Sequence, residues 1–351
     1  MDLNKRIERY HKFYQSGRPG DLLIAVRQGW LRKKNLFDYD FTRGGHLEMA
    51  ADVIKGAQTL AAPNENLDDD FIPWVYPDFG IAIHHAYVID VPVRMAEWTS
   101  WADHPLEGPD GYRRLDEVRF DRNNRWVKLV LEMLQYWVEH DDGTYLITGH
   151  PHYSPLDMAN ALRGNDIFLD YYDNPEKLSA LLDRCTDTII AFEQEHRKIL
   201  GRQFAEVGVP FWGGLGPRNA VFLSEDLMDM SGPDISRQWG MPWTTRIRQA
   251  VGKIMVHHHA MGIKVQDVIG EEVKDSLIQV SNDPNYPPTM DTVEKFYADS
   301  GGNAIMIDAS PTSIVENIHR LRNTRAILIT SGPEADVRRA VEVVRENSNI
   351  G

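Results

Sequence analysis

Short apolar segments alternate with amphipathic ones through the second half of the chain, and this alternation restricts the possible folds most strongly. The apolar segments are KIMVHHH, SLIQVSND, NAIMIDAS and RAILITSG, and stretches such as MDTVEKFYADSG, PTSIVENIHRLRN and EADVRRAVEVVREN have helical patterns. Apolar strands joined by helices indicate a parallel sheet covered by helices. The pattern predicts an α/β protein, with either a closed eight-stranded barrel or an open doubly wound sheet.

Polar residues at the C-terminal ends of the predicted strands favour the barrel. They are His257 to His259, Asn282 and Asp283, Asp308, and Thr330 with Ser331. Catalytic groups converge at this rim in parallel α/β barrels, whereas open sheets usually carry a glycine-rich phosphate turn. Neither GxGxxG nor GxxxxGK[ST] occurs in the sequence. We predict a single (β/α)8 TIM barrel over 1–351, with a helical and loop-rich N-terminal elaboration over about 1–115.

Composition limits the partners and the location. The formal net charge of -14 has the wrong sign for a general nucleic-acid binder or for a protein that binds anionic membranes. The chain opens with an amphipathic, helix-like segment and has no apolar run long enough to span a bilayer, so we expect a cytoplasmic protein. The one cysteine, Cys185, lies in a helical pattern and is predicted to be a core thiol, which leaves no intrachain disulfide and no multi-cysteine zinc site.

Three consecutive histidines end the segment GKIMVHHHAMG (252–262). In a strand, successive side chains alternate faces, so His257 and His259 should share one face and His258 should point to the other. Two imidazoles on one face can bind a metal ion, relay a proton or hold an anion. The alternative is that they are polar strand-end residues whose hydrogen bonds neighbouring groups satisfy.

Several segments resemble the uroporphyrinogen decarboxylase superfamily, which includes porphyrinogen decarboxylases and corrinoid-dependent methyltransferases. Residues 146–187 are similar to its Gly, Pro and "lrG…l…dnPe" pattern, which leads into a long helix, here predicted over 176–204. Residues 222–262 are similar to its helix that begins at a serine, here Ser224, and to the strand that ends in His-x-Cys-Gly. IAVRQGW (24–30) resembles the MRQAGR of the decarboxylases. The resemblance implies a (β/α)8 barrel, a tendency to form homodimers and a site at the C-terminal rim.

The departures from the family patterns narrow the chemistry. Met261 stands where the thiol-activating methyltransferases have the cysteine of His-x-Cys-Gly, and Ser331-Gly332-Pro333 stands where they have another. A thioether cannot replace an anionic thiolate toward zinc, so the family's thiolate-zinc site is not expected. Leu31 takes the place of the second arginine of MRQAGR, which argues against orthodox uroporphyrinogen decarboxylation.

The candidate residues come from the same segments. Arg27 follows the apolar run LLIAV and is predicted to lie at the end of a strand. Together with Gln28 it matches the family's Arg-Gln pair, and a guanidinium can hold a substrate carboxylate through two hydrogen bonds. The resemblance suggests Asp78, with Asp70 second, as the counterpart of the pyrrole-binding aspartate. The remaining candidates are Trp30 beside Arg27; His150, His152 and Tyr153 after the strand YLIT; Trp212 as a stacking ring; Asp308 and Ser331; and one of His84 and His85, read as a strand pair. Alternatively, Trp212 is a core residue in a tight turn.

Together these observations predict a lyase of the superfamily, in which Arg27 anchors a small carboxylated planar or aromatic substrate. His257, His259, His150 or His152 would supply a proton for decarboxylation, and Asp308 would assist. The runner-up is methyl transfer with a corrinoid protein as partner, His257 and His259 holding zinc as the candidate ion. A third hypothesis, from another class, is a non-catalytic ligand-binding barrel.

Overall fold

The computed structural model describes residues 2–32, 34–64 and 66–350. Its strands are β1 Leu22–Val26, β2 Trp74–Val75, β3 Arg94–Met95, β4 Ser100–Trp101, β5 Leu146–Ile147, β6 His152–Tyr153, β7 Pro210–Phe211, β8 Gly214–Leu215, β9 Ala220–Ser224, β10 Lys253–His259, β11 Leu277–Ser281, β12 Ala304–Asp308 and β13 Ala326–Thr330. Its helices are α1 Leu3–Ser16, α2 Gly45–Ala61, α3 Ile83–Ala86, α4 Arg125–Glu139, α5 Pro155–Arg163, α6 Ile167–Asp173, α7 Pro175–Glu206, α8 Asp226–Met230, α9 Pro233–Ile235, α10 Met241–Val251, α11 Gln266–Glu272, α12 Val293–Ala298, α13 Pro311–Glu316, α14 Ile318–Leu321 and α15 Glu334–Asn347.

Seven strands form one parallel sheet in the order β1-β13-β12-β11-β10-β9-β6. Helices surround the sheet, and the strand-helix alternation predicted for the second half of the chain is confirmed. Strand β10 lies between β9 and β11, in a register that places His257 beside Ser224 on one side and Gln279 on the other. Because parallel strands end at the same edge, the polar residues that follow them are brought to one side of the molecule.

The sheet is the centre of the hydrophobic core. Every residue of β1, β9, β11 and β13 is buried, as expected for strands covered on both faces. The longest helix, α7, begins after Asn174 with Pro175 in its first turn, close to the predicted range 176–204. It carries Cys185, which is buried, so the prediction of a core thiol is confirmed.

Two local predictions were wrong. His84 and His85 do not form a strand pair, because they lie in the one-turn helix α3. A short apolar run does not distinguish a strand from a buried helical turn. Ser224 does not begin a helix: its backbone pairs with Tyr153 and His257 as the last residue of β9, and α8 starts two residues later.

No helix in the described part of the chain combines the length and the apolar character needed to cross a bilayer.

Candidate active site

Two adjoining cavities open beside the C-terminal ends of the strands. The first, the histidine cavity, has a volume of about 340 Å³ and is lined by His84, His150 and His257. The second, the arginine cavity, has a volume of about 500 Å³ and is lined by Arg27 and Arg32. The side chains that border both are Trp74, Tyr76, Asp78, Trp98 and Trp212. A largely aromatic hollow with a few polar groups is typical of a small-molecule site.

Three side chains at the end of β10 and the start of α8 converge on one point. Asp226 Oδ1 lies 3.5 Å from His257 Nε2 and 3.6 Å from His259 Nε2. The two imidazole rings are 4.9 Å apart between centroids, so the predicted placement of His257 and His259 on one face is confirmed. His258 points away, to Asp229 and Gln266. We call Asp226, His257 and His259 the edge site.

Both imidazoles of the edge site are oriented by a hydrogen bond at Nδ1, on the side of the ring that faces away from Asp226. His257 Nδ1 hydrogen-bonds Gln279 Oε1, and the amide of Gln279 donates to Ser281 Oγ at 3.1 Å. His259 Nδ1 lies 2.8 Å from Asp283 Oδ1. Since a carboxylate or an amide oxygen accepts a proton from Nδ1, each Nε2 is left with its lone pair facing Asp226. Such an outer partner is characteristic of histidines that bind metal ions.

Asp226 is positioned by hydrogen bonds to its own backbone. The carboxylate of Asp157 accepts from the N–H groups of Asp226 at 2.8 Å and Leu227 at 2.7 Å, which fixes the first turn of α8. Ser224 Oγ donates to Asp226 Oδ1 at 3.0 Å. On the other side, Asp229 Oδ2 accepts from the N–H of His259 at 2.6 Å and ties α8 to β10.

The donor set of the edge site fits a divalent metal ion. Ligands held about 2.0–2.2 Å from a tetrahedral ion are about 3.3–3.6 Å apart, and the two distances from Asp226 to the imidazoles agree with this spacing. They are too long for good hydrogen bonds. Burial lowers the pKa of His257, although Asp226 opposes the shift, and the neutral form is the one that binds metal. Two imidazoles and one carboxylate suit zinc and also non-haem iron.

Arg27 is the cation of the arginine cavity. It follows β1, as predicted, and its guanidinium lies 5.9 Å from the ring of Trp30 and 5.5 Å from that of Trp212. Arg27 Nη2 is 4.0 Å from Asp308 Oδ1 at the end of β12. Burial raises the pKa of Asp308, and the charge of Arg27 opposes that shift. A cation flanked by aromatic faces can hold a planar anion.

Trp212 forms part of the wall that separates the two cavities. It occupies the tight turn between β7 and β8 with φ of 49°, and Gly213 follows with φ of 88°. Two successive positive φ values are those of a type I′ hairpin turn. A Cβ on Gly213 would lie 2.9 Å from the ring of Phe71, so glycine is required there. Trp212 lies in a tight turn, as the alternative interpretation had it, and it also faces both cavities.

The structure brings together most of the predicted site residues. His257, His150, Tyr153 and Asp78 line the histidine cavity, while Arg27 and Trp30 line the arginine cavity and Trp212 lines both. His259 joins His257 through Asp226, and Asp308 reaches Arg27. Asp78 lies between the cavities, 3.4 Å from Arg32 Nη2, and burial raises its pKa against the effect of Arg32.

Four predicted residues lie elsewhere. His152 is fully buried and faces Glu193 on α7 rather than a cavity, so it does not join His150 in lining the histidine cavity. Gln28 donates to the carbonyl oxygen of Gly332, and Ser331 is exposed beyond β13. Asp70, the second choice for the pyrrole-binding role, accepts from the N–H of Ile24 and pairs with arginines of α1 and α15. It anchors the backbone instead of facing a cavity.

Asp226 and two residues that support the edge site, Asp157 and Gln279, were not predicted from the sequence. SEDLMD has the pattern of a helix start, although Asp226 follows the last residue of β9 by two positions, where rim carboxylates occur. Asp157 resembles an ordinary acidic residue in the first turn of a helix, and Gln279 resembles an ordinary polar residue inside a strand. A glutamine in an otherwise apolar strand is costly to bury without a hydrogen-bond partner. The position of Gln279 in such a strand therefore indicated that a polar side chain lies next to it.

The chain was compared with models of known protein families, and none matches. A search of curated proteins likewise finds no match.

Proposed function

We propose that this protein is a metal-dependent methyltransferase component with a uroporphyrinogen decarboxylase-like (β/α)8 barrel. The barrel is supported by the parallel sheet together with the contacts that flank β2 and β5. The N–H of Asp70 donates to the carbonyl of Ile24 in β1, the N–H of Thr148 donates to Val75 beside β5, and the N–H of Ile72 donates to Gly213. The strands of the seven-stranded sheet at its two edges are β1 and β6. In the proposed barrel, the segments around β2, β5 and β7 would lie between these two edges and close the sheet.

The observation that carries the proposed function is the convergence of Asp226, His257 and His259. The three side chains have the donor atoms and the spacing of a zinc site, and their outer partners leave both Nε2 lone pairs directed inward. Zinc bound there would polarise the oxygen or nitrogen atom that carries the substrate's methyl group. His257 lines the histidine cavity, so that group would lie against the aromatic walls.

The other residues bind and orient the substrate. The ring of a methoxylated aromatic acid, or another planar anion, would stack against Trp212, with its carboxylate directed toward Arg27. The C–O bond of the methoxy group would break, with the oxygen keeping the electron pair and taking up a proton. The methyl group would pass to a corrinoid protein, whose Co(I) would supply the electron pair of the new bond. A methylamine donor would react in the same way through its nitrogen.

The state of the imidazoles favours methyl transfer over proton donation by His257. Burial lowers the pKa of His257, which is therefore neutral at physiological pH, and its one N–H proton is directed at Gln279. The Nδ1 atom of His259 is likewise directed at Asp283. Groups whose free nitrogens carry lone pairs are poor general acids and good metal ligands.

Decarboxylation is a second candidate, favoured by the pair Arg27 and Asp308. Arg27 would hold the substrate anion in the arginine cavity, and Asp308, whose pKa burial raises, would deliver the proton that replaces carbon dioxide. This alternative does not require the edge site. It keeps Asp308 in the role of a general acid and uses the same planar substrates.

The test follows two products in one reaction. Zinc-loaded protein is incubated with methoxylated aromatic carboxylates and chemically reduced cobalamin, and both methylcobalamin and carbon dioxide are measured. We expect methylcobalamin from the wild type and at least about 100-fold less from Asp226→Asn, since a ligand carboxylate is lost. Asp267→Asn is the matched control because Asp267 is an exposed carboxylate paired with Arg237.

The two candidate reactions give opposite outcomes. Carbon dioxide release that survives in Asp226→Asn and disappears in Asp308→Asn would refute methyl transfer and support decarboxylation. Tight binding of the aromatic acids without either product would support the non-catalytic, ligand-binding alternative. If Arg27→Met binds the acids as tightly as the wild type does, Arg27 has no anchoring role.

A further inference from the structure

A second group of metal-binding side chains lies behind the histidine cavity. It consists of His152 on β6 with Glu193 and His196, which are one turn apart on α7. All three are buried, His152 and His196 completely. We call these residues the buried cluster. It shares no residue with the edge site and takes no part in the proposed reaction.

The contacts within the buried cluster do not satisfy its polar atoms. Glu193 Oε2 lies 3.3 Å from His196 Nδ1 and 3.7 Å from His152 Nε2, while Glu193 Oε1 accepts from Arg197 Nε at 2.7 Å. Within the described residues, His152 Nε2, the imidazole nitrogen that faces Glu193, has no hydrogen-bond partner. A buried polar atom without a partner is costly, so a network made only of these side chains is incomplete.

The orientation of His152 also suits a ligand. Its Nδ1 is 3.2 Å from the hydroxyl oxygen of Tyr87, which is itself fully buried. When Nδ1 donates its proton to that oxygen, the Nε2 lone pair faces the carboxylate of Glu193. Two electron-rich atoms then face each other unless a cation lies between them. Tyr87 would be the outer partner that fixes the ring of a metal-binding histidine.

We propose that His152, Glu193 and His196 bind a structural divalent metal ion, with zinc as the best-suited ion. Glu193 Oε2 is separated from the two imidazole nitrogens by distances close to the 3.3–3.6 Å or so expected between ligands of a tetrahedral ion. A carboxylate and two imidazoles match the ligand preferences of zinc. The ion connects β6, which carries residues beside the cavity, to the long helix α7.

The surrounding backbone leaves room for this arrangement only because of a glycine. A Cβ placed on Gly149 would come within 2.9 Å of His196 Nδ1.

His150 separates the buried cluster from the histidine cavity. It packs edge-on against His152, with ring centroids 5.8 Å apart, and lines the histidine cavity. A metal ion held in the buried cluster is therefore screened from solvent by His150. Chelators should reach it only when the protein opens or unfolds.

Zinc analysis of the intact chain tests the proposal. Protein produced with added zinc is dialysed against EDTA in the native state, and the zinc that remains is measured before and after unfolding in guanidinium. We expect one zinc ion per chain to resist EDTA and to be released on unfolding. His196→Gln and Glu193→Gln should each lose the retained zinc, while His85→Gln should keep it. His85 is also a buried imidazole, and its ring nitrogens have no hydrogen-bond partner among the described residues.

The measurement on the wild type tests the proposed metal site even where a variant fails to fold. If no zinc is retained by the native wild type, the buried cluster is not a metal site. Retention in folded His196→Gln, judged by circular dichroism and gel filtration, would also overturn the proposal. The edge site is read separately: its zinc should be removed by EDTA and absent from Asp226→Asn. Absence of that labile zinc alone would refute the edge site and leave the buried cluster unaffected.

Discussion

Asp283→Asn is expected to weaken zinc binding at the edge site while leaving all three proposed ligands in place. Asp283 uses both carboxylate oxygens: Oδ1 accepts from His259 Nδ1, and Oδ2 accepts from the N–H of Met261 at 2.8 Å. An asparagine amide has only one oxygen. Its NH2 group must therefore face either Met261 N–H or His259 Nδ1, and both positions require an acceptor.

The size of the expected loss of zinc affinity can be worked out from these two orientations of the asparagine amide. Facing Met261, the amide leaves a backbone donor without its partner, which costs about 1–3 kcal/mol. Facing His259, it favours the tautomer whose proton is on Nε2, and that proton blocks the ligand lone pair. Loss of an outer partner of a metal-binding histidine typically weakens metal affinity by about 10–100-fold. This range corresponds to about 1.4–2.7 kcal/mol of binding free energy.

The assay is a competition titration of EDTA-treated protein with zinc and a chromogenic chelator at neutral pH. Asp267→Asn is again the control, since it removes one exposed carboxylate from α11 without touching β10. A dissociation constant for Asp283→Asn within about twofold of the wild type would refute the role of Asp283. An equal loss in both variants would assign the effect to net charge, contrary to the geometric explanation.

Two further predictions concern packing and pH. Gly56→Ala should lower the free energy of unfolding by about 1–3 kcal/mol, because its Cβ would lie 1.6 Å from the carbonyl oxygen of Leu31. Gly201→Ala, in α7, should raise it by about 0.4–1 kcal/mol, because the added carbon meets no described atom within 4 Å apart from the backbone of its own helix and its chain neighbours. Denaturant titration checks both variants, and equal effects would contradict the reasoning. An aromatic sulfonate, which stays ionised, should bind more weakly as the pH rises through the raised pKa of Asp308, because the ionised carboxylate then competes for Arg27. Tryptophan fluorescence titrations should show this dependence in the wild type but not in Asp308→Asn, and a flat wild-type profile would exclude the competition.

The part of the site that follows strand periodicity was predictable from the sequence. The two-residue repeat placed His257 and His259 on one face and His258 on the other, which is what the structure has. The positions of Arg27 and Asp308 followed from the ends of apolar runs. These predictions depend only on local backbone geometry, and the sheet imposes that geometry along each strand.

The remaining features depend on contacts between segments far apart in the sequence. Asp226 could not be assigned to the histidines because it is held by Asp157, which lies 69 positions earlier in the chain. His152 was misplaced because its partner, Glu193, lies on α7, and periodicity does not specify the packing of a helix on a strand. The EQEH segment of α7 did contain a signal, since Glu193 and His196 at i and i+3 share one face of the helix.

The turn that carries Trp212 has a consequence for the evolution of this chain. A bulky residue held at φ of 49° stores backbone strain of about 1–3 kcal/mol, which glycine at the same position would relieve. Trp212→Gly would therefore gain backbone stability while removing part of the wall between the two cavities. Selection of variants for heat resistance alone would favour such a change, and the survivors would bind planar anions with less discrimination. If tryptophan is retained at this position, selection for ligand binding has outweighed selection for stability.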